Sequence, residues 1–329
     1  MTKSMAINVR EPIAGATRNS SPSNPLISHE KLRQLYSMML KCRLLDAYLR
    51  VAENHAGIAN DHHSSAGLEA TAVGAAIDLR RADTLAPPPN RDFILSYLKG
   101  VPLHAMLSQP FRGNKGRSAS FDCEQAALNI VSSASTFAAQ LDTCIEIAFA
   151  NQRKKNNNIV MVFSGEGSIP LSDWHDALRF AGQRSLPIVF VRPGHLLGGS
   201  VLVNPESASD NTRSEAVEYG FPQIAVDGND AIAVYRVAHE ATERARSDGG
   251  PTLINSQSFP ESGAVDIAHS QQPAEDRPAE RESNDPIVAM ERYLKVKELF
   301  SEGWKNDVIA AFKEELDAAV GSAENDTCG

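Results

Sequence analysis

The chain has 329 residues, of which 42% are hydrophobic and 22% charged, as is usual for a globular protein. Its net charge of −9, without a basic block, argues against nucleic acid as a partner. No apolar run approaches the roughly 20 residues that span a bilayer, so no membrane association is expected. Residues 1–27 lack the apolar core of a secretory signal. They are predicted to be a disordered extension, and the protein is predicted to be cytoplasmic.

Helices and short apolar strands alternate along the chain. Residues 28–53 carry apolar side chains at helical spacing, and Pro87-Pro88-Pro89 predicts an extended segment because each proline disfavours helix at the preceding residue. The other predicted elements are helices at 67–80, 92–108 and 134–152, a polar loop at 112–120, a glycine loop at 194–204, a strand at 224–226, a helix at 230–247 and a strand at 252–255.

The central stretch, residues 159–191, is the most informative. Two short runs rich in Val and Ile, at 159–163 and 186–191, enclose a helical segment at 171–183, which is the pattern of a βαβ unit in a buried parallel sheet. Glu166 follows the first strand, at the edge where open α/β sheets bind ligands. The pattern predicts an α/β fold with a parallel sheet, helices on both faces and a helical carboxyl-terminal region.

The domain layout follows from composition. Residues 28–260 are predicted to form one α/β domain. Residues 261–285 are rich in Pro, Glu, Ser and Gln without periodicity, and are predicted to be a loop or linker. Asp285-Pro286 has the form of a helix start, with a capping acid before a proline. Residues 286–329 are therefore predicted to be a helical region of the same domain, with helix to about residue 323.

An ordered series of short motifs runs through these elements. It comprises H-S-S-A-G-L-E-A at 63–70, Val73-Gly74, Arg91-Asp92, Gly100-Val101-Pro102-Leu103, Lys115-Gly116-Arg117, Gly165-Glu166-Gly167, Asp176-Ala177-Leu178, Leu186-Pro187, V-D-G-N-D at 226–230, Val234-Tyr235 and G-P-T-L-I at 250–254. The series resembles the alpha subunit of the decarboxylating component of 2-oxo acid dehydrogenase complexes over residues 30–318. The resemblance implies a thiamine-diphosphate-binding fold and oxidative decarboxylation of a 2-oxo acid, with acyl transfer to lipoyl groups.

The resemblance also implies thiamine diphosphate and Mg²⁺ as cofactors. The metal positions fall on Glu166, where the family has Asp, on His195, where it has Asn, and on the backbone of Leu197. Imidazole suits transition metals better than Mg²⁺, which prefers oxygen ligands. The other implied cofactor-binding positions are Asn90, Arg91, Ser132, Ala134, Gly165 and Gly167.

His63 is the candidate catalytic residue. It matches a family histidine near the reacting carbonyl, and imidazole transfers protons near neutral pH. Elsewhere the family pattern is changed: Asn90 replaces a tyrosine, Ser132 a glycine, and Ala264 a histidine that assists acyl transfer. Alanine cannot transfer a proton, so these substitutions favour a degenerate cofactor site on an intact scaffold.

Three hypotheses remain open from the residues. The chain is an active alpha-type subunit, a non-catalytic scaffold or regulatory homologue of that subunit, or a different α/β nucleotide- or phosphate-binding protein. The third would require a G-x-G-x-x-G fingerprint after a strand, which the sequence lacks.

The resemblance implies partners as well. It implies a beta-type subunit in an α₂β₂ assembly, or self-association, and a lipoyl acyltransferase if the chain is active. In the family the cofactor lies between the two subunits. The candidate contact surfaces are helix 134–152 and the apolar face of helix 30–53.

Overall fold

A computed structural model of the chain describes residues 27–56, 65–88, 92–107, 119–132, 136–164, 171–195, 219–258 and 285–327. The helices are α1 (His29–Ala56), α2 (Glu69–Ala76), α3 (Asp92–Lys99), α4 (Leu103–Leu107), α5 (Ala119–Ala127), α6 (Phe137–Lys154), α7 (Leu171–Arg184), α8 (Ala231–Arg246), α9 (Pro286–Val296) and α10 (Glu302–Thr327). The strands are β1 (Thr84–Ala86), β2 (Val160–Phe163), β3 (Ile188–His195), β4 (Gln223–Asp227) and β5 (Thr252–Ser258).

The strands form one parallel sheet in the order β1-β2-β3-β5-β4. Val160 pairs with Ile188 and Phe163 with Val191, so both apolar runs of the central stretch lie side by side. All residues of β2 are buried, because helices cover both faces of the sheet. The predicted parallel α/β fold is therefore confirmed.

The strand side chains divide between two apolar layers. Met161 and Val189 pack in a cluster with α1, α2, α8 and α9, whereas Val162 and Phe190 pack in a second cluster with α6 and α7. This alternation is the two-residue period of a strand whose faces are both buried. Because both faces are covered, the connections begin and end at the ends of the strands. We call the side of the sheet where the strands end its carboxyl edge, and the side where they begin its amino edge.

The carboxyl-terminal helices pack against α1. Asp285 Oδ1 accepts hydrogen bonds from the backbone N–H of Ile287, at 2.7 Å, and of Val288, at 3.3 Å, and so caps α9 as predicted. The hydroxyl of Tyr36 in α1 donates to Glu291 Oε1 at 2.7 Å. The Tyr36 ring also contacts the ring of Trp304, with the centres 5.4 Å apart.

Several local predictions were wrong. The predicted helix 92–108 is two helices, since Gly100 has a φ of +97° and Pro102 removes a backbone donor. Strand β1 was missed because it is only three residues long. Helix α5 begins inside the predicted polar loop 112–120, β3 continues to His195 at the start of the predicted glycine loop, and α6 begins at Phe137 rather than 134.

Other predictions fall outside the described residues. These are the extension, which is described only at Ile27, and nearly all of the 261–285 linker. None of the helices in the described ranges is long and apolar enough to cross a membrane.

Candidate functional site

A cleft opens at the carboxyl edge of the sheet, where β1, β2 and β3 end. Its described lining residues are Ser65, Leu68, Thr71, Ala72, Pro88, Ile94, Leu95, Phe163, Ser164 and Pro193. They come from the ends of the three strands and from the first turns of α2 and α3. The cavity has a volume of about 40 Å³, which is room for about three water molecules. The cleft occupies the place where an open parallel sheet binds its ligand.

The turn that precedes α2 is held by buried ionic groups. Gly67 has a φ of +88°, and its N–H donates to Glu69 Oε2 at 2.8 Å. Glu69 is fully buried and bonded by the guanidinium of Arg43, whose third nitrogen donates to Asp285 Oδ2 at 3.0 Å. Burial raises the pKa of Glu69 while the Arg43 charge opposes that shift. The network fixes one wall of the cleft to α1 and to the start of α9.

Most of the predicted site residues lie outside the described residues. These are His63, Asn90, Arg91, Ala134, Gly165, Glu166, Gly167 and Leu197, and also Ala264. Their described neighbours are informative: Ser65, Pro88, Ser164 and Pro193 all line the cleft. Described residues adjoining the segments that carry His63, Arg91, Glu166 and His195 therefore meet at this one cleft. The roles of the residues themselves stay predictions.

Ser132 lies on a segment that is tied to the end of β1. The N–H of Val131 donates to the carbonyl of Leu85 at 2.9 Å. The Gln140 amide donates to the carbonyls of Pro87 and Val131, at 2.9 and 2.5 Å. Sequence reasoning missed Gln140, although a Gln among the apolar residues on the buried face of a helix is a signal for such a polar contact.

His195 is the last residue of β3 and pairs in parallel register with Ser258 of β5. A hydroxyl cluster lies beside this pair. Thr71 Oγ1 is 2.5 Å from Ser256 Oγ and donates to the carbonyl of Gly228 at 3.2 Å. Ser256 and Ser258 are fully buried, and Thr71 lines the cleft. Through Thr71, this cluster adjoins the cleft.

Most positions that the resemblance assigns to Mg²⁺ and diphosphate lie outside the described ranges, and the described cleft lining contributes no charged group to such a site. The described lining of the cleft contains three hydroxyls and no charged side chain, whereas a diphosphate is held by cations or by converging N–H groups. Within the described ranges, no group of three or more His, Cys, Asp or Glu could hold a metal ion. The imidazole of His195 is a poor replacement for an oxygen ligand of Mg²⁺. Any fit would depend on the residues that lie outside the described ranges.

A parallel sheet with a cleft at the carboxyl ends of its strands is typical of ligand-binding α/β proteins. Comparison with known families agrees with this class. The model of the dehydrogenase E1 component family matches residues 36–328, and the chain belongs to this family. The family resemblance predicted from the motif series is thereby confirmed. The hypothesis of an unrelated nucleotide- or phosphate-binding protein is wrong.

Similar proteins specify the subunit type. The chain is 28% identical, over 304 residues, to the pyruvate dehydrogenase E1 component subunit alpha of Staphylococcus aureus, covering 92% of this chain and 80% of that protein. It is 29% identical over 307 residues to the subunit of the same name from Staphylococcus epidermidis, with the same coverage. The chain is thus related to the alpha subunit of the 2-oxo acid dehydrogenase E1 component along most of its length.

Proposed function

We propose that the chain serves as an alpha-type subunit of a 2-oxo acid dehydrogenase E1 component in a structural or regulatory role, and that it does not itself hold Mg²⁺–thiamine diphosphate tightly. The observation that carries this proposal is the change of both implied metal side chains, with Glu166 in place of Asp and His195 in place of Asn, and the described cleft lining adds no charged side chain. The intact sheet and both apolar layers support the scaffold part of the proposal.

The chemistry of the substituted positions points in the same direction. A Glu at 166 is one methylene longer than the family Asp, and His195 replaces an amide oxygen with an imidazole nitrogen, so both predicted metal side chains differ. Ala264 cannot exchange a proton in acyl transfer. Retention of His63 and Arg91 supports the alternative, an active subunit, because a proton-transfer group and a phosphate-binding arginine remain.

The proposed partner is a beta-type subunit of the same component, in an α₂β₂ assembly within the cytoplasm. Family alpha subunits share the cofactor with that partner. A lipoyl acyltransferase would be a further partner only for the active alternative.

Calorimetry with thiamine diphosphate and Mg²⁺ tests the proposal on the full chain, alone and with a beta-type subunit. We expect no micromolar binding by the chain alone. The double substitution Glu166→Asp with His195→Asn should restore measurable affinity, because it supplies the oxygen ligands that Mg²⁺ prefers. His239→Asn, on the half-exposed outer side of α8, is the matched control and should restore nothing. Micromolar binding by the unaltered chain, with decarboxylation of a 2-oxo acid beside the beta-type subunit, would establish the active alternative instead.

A further inference from the structure

The amino edge of the sheet, opposite the cleft, carries a concentration of exposed cations. They lie in the last turns of α6, α7 and α8 or in the loops after α2 and α6, shortly before four adjacent strands, β1, β2, β3 and β5. We call them the basic rim: Arg80, Arg81, Arg153, Lys154, Lys155, Arg184 and Arg244. Within the same turns, 80–83, 153–158, 183–187 and 243–251, the exposed acids are Glu243 and Asp248. The rim is therefore positive on a chain whose net charge is −9.

Direct contacts join these turns into one surface. The Gln152 amide donates to the carbonyls of Arg184 and Ser185, at 2.9 and 3.0 Å, and thereby links the ends of α6 and α7. Arg246 donates to the carbonyl of Asn157 at 3.1 Å and, through two nitrogens, to Asp83 at 2.8 and 2.5 Å. The turns before β1, β2, β3 and β5 are therefore held together and present their cations as a set.

Two aromatic rings, the exposed Phe180 and the partly buried Phe149, lie among these cations. The guanidinium carbon of Arg153 is 5.8 Å from the ring centre of Phe149. That of Arg184 is 6.0 Å from Phe149 and 5.6 Å from Phe180. Phe180 is 39% exposed, one of few large apolar side chains so open to solvent in the described ranges. Aromatic and Arg side chains together are the composition typical of protein–protein contact centres.

The rim cations have no carboxylate partners among the described residues. None of the seven forms a salt bridge there, whereas the neighbouring Arg246, 6% exposed, is paired with Asp83. The dipoles of α6, α7 and α8 favour cations in their last turns. That effect does not account for Arg80 and Arg81, which follow α2 by several residues, nor for the exposed Phe180. The unpaired charge is available to a partner.

We propose that the basic rim docks an acidic segment of a protein partner. Four strands about 4.8 Å apart place the cations over roughly 15 Å, a distance that about five extended residues cover. Carboxylates of such a segment pair with the rim, and its apolar side chains reach Phe149 and Phe180. The overall negative charge of the chain opposes a long polyanion such as a nucleic acid, and this favours a short acidic protein segment.

Fluorescence anisotropy with the full chain tests this proposal. The probe is a fluorescein-labelled peptide of about eight residues that alternates Glu with Phe or Leu, and the reference peptide has Gln in place of Glu. The acidic peptide should bind at about 0.05 M salt and weaken steeply at about 0.5 M, because exposed charge pairs are screened. The triple substitution Arg81→Gln, Lys154→Gln and Arg184→Gln should weaken binding by about tenfold.

A matched triple variant distinguishes the effect of the rim from the effect of net charge. Lys41→Gln, Lys295→Gln and Lys313→Gln remove the same charge from α1, α9 and α10 and should change affinity less than about twofold. Phe180→Ser should weaken binding with its salt dependence retained. Thermal unfolding of each variant shows whether the substitutions act only by destabilising the helices. Equal loss of peptide binding in both triple variants overturns the proposal. So does the absence of binding of the acidic peptide by the unaltered chain. Tighter binding of a DNA duplex or of vesicles rich in phosphatidylserine also overturns it.

Discussion

At the carboxyl edge of the sheet, the described residues that line the cleft are apolar or carry hydroxyls, whereas the amino edge presents the seven cations of the basic rim above the buried Arg246–Asp83 pair. Both edges belong to one parallel sheet, so the difference arises from the turns. The first turns of α2 and α3 border the cleft. Among the described residues, the dipoles of these two helices are what attracts an anion there. We therefore expect weak cofactor binding at the carboxyl edge and electrostatic docking at the amino edge.

The largest expected effect concerns the buried pair at the amino edge. Asp83 accepts hydrogen bonds from Arg246, from the N–H of Ile159 at 3.1 Å and from the N–H of Arg80 at 2.7 Å. Asp83→Ala leaves the Arg246 charge buried without its partner, and should lower the free energy of unfolding by about 4 kcal/mol. Urea denaturation measures the loss.

Its control is the exposed Asp248, on the same edge. Asp248→Asn, which keeps a residue type that tolerates the φ of +59° at this position, should change the free energy of unfolding by less than about 0.5 kcal/mol. Equal effects of the two substitutions would show that the amino edge is not organised around the Asp83 pair.

A second prediction tests the hydroxyl cluster at the carboxyl edge. A Cβ on Gly228 would lie 2.1 Å from Ser258 Oγ and 2.5 Å from Ser256 Oγ. Gly228→Ala should therefore cost about 2 kcal/mol of stability through overpacking. Combining it with Ser258→Ala should recover part of that loss, because the closest clashing atom is removed.

Thermal and urea unfolding of both variants give the comparison. Gly303→Ala in α10, where a Cβ would meet nothing within 4 Å, is the control and should leave stability unchanged or slightly higher. A neutral Gly228→Ala substitution would mean that the cluster adapts freely, and that Thr71 does not hold the cleft wall in place.

The smallest effect is a pH dependence at Asp78, between α2 and the rim. Burial favours a higher pKa for Asp78, but hydrogen bonds from Lys31 and Tyr235 outweigh it and hold the pKa below its usual value. A carboxyl with a depressed pKa in the folded state stabilises the fold above its unfolded pKa of about 3.9, and this contribution is lost as the pH falls through the folded pKa.

Urea denaturation between pH 7 and pH 3 is the measurement. The unaltered chain should lose more stability than Asp78→Asn as the pH falls through that range, since the variant lacks the titrating group. Parallel curves for the unaltered chain and Asp78→Asn would contradict the assignment.

The central part of the fold could be predicted because its signals are local. Two apolar runs around a helix predicted the β2–α7–β3 unit, and Asp285 before Pro286 predicted the start of α9. Short elements were harder: β1 has three residues, too few for a period to show, and α5 has a mixed polar sequence that only packing stabilises. The break between α3 and α4 could have been predicted from Gly100 and Pro102, which disfavour a continuous helix.

For the candidate site, the sequence indicated which segments carry the chemistry, and the motif series identified the family because its residues are ordered along the chain. Whether those segments meet depends on strand order, which is set by packing between residues far apart in sequence. Only the tertiary structure brings Ser65, Pro88, Ser164 and Pro193 to one cleft and ties Gln140 to the end of β1. It also gathers the cations of four separate turns into the basic rim, because parallel strands bring every second loop to the same edge.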